Sequence, residues 1–95
     1  MKELSERNSA LLIMGLKTMG TMKEAYFYVE EELYVDEAEE LYDFCEWVDE
    51  NVGGCSSYNI EILFKAYKNP DNVELQEIVA DLRTKIAEIR KSIEG

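Results

Sequence analysis

Six carboxylates stand at Glu32, Asp36, Glu39, Asp43, Glu46 and Glu50, spaced 4, 3, 4, 3 and 4 along the chain. In a helix that spacing stacks all six on one face. Their chemistry is that of a field. A row of fixed negative charge attracts a cationic surface, speeds its approach and sets its orientation. Eight acids fall between Asp36 and Glu50, over about 22 Å of helix. That is one charge per about 2.8 Å, within a factor of two of the charge spacing along duplex DNA.

The surroundings sharpen the feature. Between Lys23 and Lys65 there is no lysine or arginine, and those 41 residues hold 13 acids. The chain's net charge is −11, and the other 54 residues carry a net of +2. Like charges three or four apart on a helix each cost a few tenths of a kcal/mol, which surface helices ordinarily relieve with interspersed lysine. Two readings follow. One is a solvated face that keeps a small protein soluble. The other is a docking face for a basic protein that normally binds nucleic acid. At 100° per residue Trp47 projects among Glu40, Asp43 and Glu50, away from Leu41 and Cys45, with Phe44 at the edge of the same face. Tryptophan is enriched among interface anchors, and it equally suits packing beneath another helix. The expected partner-binding set is Glu32, Asp36, Glu39, Glu40, Asp43, Phe44, Glu46, Trp47 and Glu50.

Other chemistry has little to stand on. The loop from Asp49 to Ser57 begins like a calcium-binding loop, but its twelfth position is Ile60, with Glu61 one residue late, so it supplies too few oxygens. Cys45 and Cys55 form no CxxC, and there is no histidine. An ordinary zinc site therefore lacks ligands, and a serine or cysteine nucleophile lacks its usual base. No phosphate-binding glycine loop or GxSxG is present. Arg83, Lys85, Arg90 and Lys91 are mixed with Asp81 and Glu88 and read as a solvated helix face. No catalytic residue, no metal and no cofactor are expected, and the chain does not read as an enzyme. Direct nucleic-acid binding is excluded by the charge. The apolar stretch Ala10–Leu16 is short and preceded by Glu3 and Glu6. It has neither the basic lead of a signal peptide nor the ~20 residues of a membrane span. The expected setting is cytoplasmic, with reduced thiols and no membrane partner.

These residues need elements to hold them. The expected fold is all-α, a small four-helix single domain over 1–95, with helices at about 5–34, 37–51, 58–68 and 71–94. Leu12, Gly15, Met19, Met22, Tyr26, Val29 and Leu33 recur at 3 and 4, a helical seam. Ser5 suits an N-cap. Ala25–Val29 has strand propensity, but no turn signal follows it, so it is kept helical. Asp36 with Glu39 resembles a capping box. Gly53-Gly54 is a helix stop. Ser56 or Ser57 would cap the third helix, and Asn69-Pro70 would close it and start the fourth. Val79, Leu82, Ile86, Ile89 and Ile93 form the last seam. Helices of about 45 and 36 Å exceed what a 95-residue globule holds. Either the first breaks near Gly20, or the molecule is elongated and self-associates. The expected homo-oligomer seam is Leu12, Met19, Met22, Tyr26, Val79, Leu82, Ile86, Ile89 and Ile93.

No motif ties the chain to a family. Its small, acidic, helical profile is similar to two classes, virus-encoded anti-defence inhibitors of nucleic-acid-binding host enzymes and immunity proteins that neutralise basic toxins. The expected function is docking on, and inhibition of, a basic protein. The alternative is a structural protein whose seams build an oligomer, with the acid serving solubility. A small-ligand bundle lined by tyrosines is a third class.

Overall fold

Glycine 20 turns the first expected helix back on itself. The computed structural model describes residues 4–94. Helix α1 (Glu6–Met19) opens at Ser5, whose hydroxyl accepts the Asn8 N–H at 3.2 Å. It ends at Gly20, which has φ +97° and donates its N–H to the Leu16 carbonyl at 2.8 Å. That left-handed conformation strains any residue with a Cβ. Thr21 restarts the chain as the N-cap of α2 (Met22–Val29), its hydroxyl accepting from the Glu24 N–H at 3.2 Å. The expected helix 5–34 is therefore two helices followed by a single 3₁₀ turn, Glu30–Glu32.

Helix α3 (Val35–Asn51) starts after Tyr34, with no side-chain cap. Asp36, expected as that cap, lies in the first turn, where its charge suits the positive end of the helix dipole. The helix stops at Val52 and Gly53, whose N–H groups both reach the Val48 carbonyl at 2.8 Å, with Gly53 at φ +93°. Asn59, not a serine, stands at the N-cap of α4 (Ile60–Lys68), with no side-chain cap bond; its carboxamide oxygen instead accepts the upstream Ser56 N–H at 2.7 Å. Pro70 stays in the turn, and α5 (Val73–Glu94) begins after Asn72, whose side chain accepts the Leu75 N–H at 3.0 Å. The class is all-α, with five α-helices rather than four and no strand among the described residues. The radius of gyration is 13.0 Å and the extents are 39 × 31 × 19 Å.

The helices pack in chain order, α1 on α2, α2 on α3, α3 on α4 and α4 on α5. Leu12, Met22, Leu41, Phe44, Cys45, Val48, Ile60, Leu63 and Phe64 are buried at the centre. The tightest approach is at Gly15, where a Cβ would meet the Ala25 carbonyl oxygen at 2.9 Å and the Ala25 Cβ at 3.0 Å. Two helix backbones can lie that close only over a residue without a side chain. Gly15→Ala would gain about 1 kcal/mol of helix propensity, but the contact is with backbone and cannot swing away. We expect a net destabilisation of about 1–3 kcal/mol, read as a melting temperature lower by roughly 4–8 °C per kcal/mol. An unchanged or raised melting temperature would contradict this packing.

Candidate protein-docking face

The fold divides the 13 acids of the cation-free segment into two groups. Four are half-buried, and each of these four has a partner. Asp49, near the end of α3, accepts the Met22 and Lys23 backbone N–H groups through its two oxygens, both at 2.9 Å. It thereby caps α2 from another helix, satisfying donors that a helix start leaves open. Glu37 accepts from the Asn8 side-chain amide and, at 3.3 Å, from the Ser5 hydroxyl. Asn8 is fully buried, and its oxygen accepts the Tyr34 N–H at 3.4 Å, so this polar knot fastens α1 to the start of α3. Glu40 pairs with Lys68 of α4, and that ammonium holds its carboxyl below the usual value. Glu46 lies 3.3 Å from Lys23 of α2, whose pKa it raises, with help from Tyr42. Relief of like-charge repulsion thus comes from lysines just outside the segment, brought in by tertiary packing.

The other nine acids are exposed: Glu24, Glu30, Glu31, Glu32, Asp36, Glu39, Asp43, Glu50 and Glu61. None makes a side-chain hydrogen bond or ion pair among the described residues. Of the expected docking set, Glu32, Asp36, Glu39, Asp43 and Glu50 are in this open group, while Glu40 and Glu46 are in the paired one. Phe44 is a correction. It is fully buried, 5.0 Å from the Phe64 ring, and cannot meet a partner. Trp47 is half-buried at the rim of the core, stacked on Phe44 at 6.4 Å and tilted on Tyr67 at 5.7 Å. A helical wheel put Phe44 at the face's edge, but α4 packs over that edge.

The expected oligomer seam is likewise divided. Leu12, Met22, Tyr26 and Val79 are interior to a single chain and are no surface for a second copy. Leu82 and Ile86 are half-buried, and Met19, Ile89 and Ile93 are exposed. The fold-back at Gly20 is the cause, because it covers the seam of α1 with α2.

Three exposed aromatics escaped the sequence reading: Phe27 at 56%, Tyr28 at 55% and Tyr34 at 48%. Met22, Tyr26 and Val29 turn inward, as their place in the seam implies, and the same spacing leaves Phe27 and Tyr28 outside. The seam itself was the available signal.

Among the described residues no group of three or more metal-ligating side chains is assembled, and no helix is long and apolar enough to cross a membrane. Asp49, the first residue of the calcium-loop-like stretch, is committed to capping α2. Comparison with protein-family models, curated proteins and solved structures finds no match to this chain.

The two thiols have a resolved chemistry. Cys45 is buried and Cys55 half-buried against the Met22 sulfur at 3.5 Å. Burial pushes the Cys55 thiol up to about 12 and raises Cys45 as well, with Asp49 adding to both. A thiol whose pKa is raised on folding favours the folded state below its unfolded value, and that stability is lost as pH rises above it. The melting temperature should therefore fall as pH rises above about 9, and less steeply in Cys55→Ser. A wild-type stability that stays level through this range would contradict the burial of these thiols.

Proposed function

We propose that this chain is an acidic protein-binding module that docks through α3 on a basic, nucleic-acid-binding protein and blocks it, as an inhibitor of nucleic-acid-mimic type. It acts without catalysis or cofactor. One observation supports this reading above the others. Glu32, Asp36, Glu39, Asp43 and Glu50 stay exposed and unpaired among the described residues, although the chain carries ten lysines and arginines that packing could have brought to them. A face built to be solvated tolerates cations among its acids; a face built to meet cations keeps them out.

A second reading is favoured by a separate observation. Ile89 is 59% and Ile93 80% exposed, on the stripe that starts at the buried Val79. Such a stripe suits a homo-oligomer built through the end of α5. Self-association that is insensitive to salt is its mark, whereas steep loss of association with salt belongs to the acidic face.

The separating variant reverses Glu39, Asp43 and Glu50 to lysine, leaving the paired Glu40 and Glu46 alone. With the basic protein captured from lysate at low salt and then purified, we expect its helix content unchanged and its melting temperature equal or higher, since i,i+4 repulsion is relieved. Its association rate should fall at least about tenfold, with a flatter salt dependence, and it should no longer block nucleic-acid binding by that protein. Unchanged rates would remove the docking reading.

A further inference from the structure

Two cations of this chain show how its surface holds a positive group. The Arg7 guanidinium lies 5.4 Å from the centroid of the Tyr34 ring and donates through Nε and Nη2 to the Glu32 carbonyl at 3.3 and 3.0 Å. The Lys23 ammonium lies 5.7 Å from the Tyr42 centroid and 3.3 Å from a Glu46 oxygen. Each arrangement combines an aromatic face, an oxygen acceptor and a cation.

A third place, which shares Glu32 with the Arg7 contact, has rings and carboxylates but no lysine or arginine among its lining residues. At the end of α2, Met14, Phe27, Tyr28, Glu30, Glu31 and Glu32 line an open cleft of about 390 Å³. Both rings are more than half exposed, and the three glutamates are unpaired among the described residues. The Phe27 ring is held in place edgewise by Tyr26 at 5.5 Å and Tyr42 at 5.7 Å. Phe27 thereby touches α3, since Tyr42 is the ring over which Lys23 lies and Lys23 pairs with Glu46.

We propose that this cleft is the anchor pocket of the docking face and that it takes an arginine side chain presented by the basic partner. The inference rests on the docking reading above. Arginine fits better than lysine because its flat guanidinium can stack on a ring while its donors reach carboxylates in pairs. A lysine ammonium is a strongly hydrated point charge, with less to gain from an aromatic face. The Met14 thioether supplies a soft apolar wall for the arginine stem.

The probes are nona-arginine and nona-lysine peptides, titrated at low salt into the isotope-labelled chain and followed by backbone amide resonances. Both should bind, the arginine peptide about threefold to tenfold more tightly, with shifts centred on residues 27–32. Phe27→Ala with Tyr28→Ala should abolish that preference and leave nona-lysine affinity within about twofold, since lysine gains little from the rings. Because Phe27 also packs on Tyr26 and Tyr42, a second variant, Glu30→Gln with Glu31→Gln, touches only exposed side chains and should also shrink the preference. Equal affinities in the wild type, or a preference that survives both variants, would overturn the pocket and leave the docking face standing. If neither peptide binds, the docking reading fails and the pocket with it.

Discussion

Thirteen carboxylates in 41 residues that contain no lysine or arginine must be accommodated before anything else in this molecule can form. A carboxylate can enter a half-buried position only with a donor or a cation to meet it. Here that condition selects four of the thirteen. Asp49 meets the open amides of α2, Glu37 meets Asn8 and Ser5, and Glu40 and Glu46 meet lysines from neighbouring helices. Two of these contacts use neutral donors, which is how the fold compensates for having no cation nearby in sequence. The remaining nine stay in water, and their mutual repulsion is left in the folded state.

The α1–α2 hairpin turns this sorting into a surface. Gly20 reverses the chain and Gly15 lets α2 lie against α1 at backbone distance. Asp49 then fixes the start of α2 to the far end of α3, while Asn8 and Glu37 fix α1 to its near end. With both ends of α3 tied, its core side is set by Leu41, Phe44, Cys45 and Val48, and its other acids face solvent or meet Lys23 and Lys68. The same hairpin places Phe27 and Tyr28 beside Glu30, Glu31 and Glu32. Charge and exposed aromatic surface are consequences of one chain reversal.

Much of this was legible in the sequence, for local reasons. The helical class, the Ser5 cap and the Gly53 stop each follow from spacing or from a residue's own conformational preference. What failed was non-local. Phe44 projects toward the acids on a helical wheel, yet Phe64 and Tyr67 of α4 cover it. Asp49 belongs to a loop with too few oxygens for an ion, and nothing local shows that its partners are amides 26 and 27 residues away. Of the six ridge acids, Asp36, Glu39, Asp43, Glu46 and Glu50 lie on α3, and Glu32 lies in the 3₁₀ turn before it. The loss of Glu40 and Glu46 to Lys68 and Lys23 depended on which helices pack beside it, which periodicity does not encode. The break near Gly20, one of the two outcomes that helix length leaves open, is local again, a glycine stop followed by a threonine cap.

In the proposed docking, α3 carries charge that the fold leaves unneutralised, at a cost in stability, and a cationic partner neutralises it. The melting temperature of the free chain as a function of sodium chloride tests that claim without needing the partner. Exposed charges are screened beyond about 10 Å at 0.1 M salt, whereas the Glu40–Lys68 and Glu46–Lys23 pairs, which salt also weakens, lie near the surface and are worth at most about 1 kcal/mol each. The melting temperature should rise between about 0.01 and 0.5 M salt, as screening relieves the nine open carboxylates. A melting temperature that stays level or falls over that range would show that the acid is already compensated within the chain, with no unneutralised charge left for a partner.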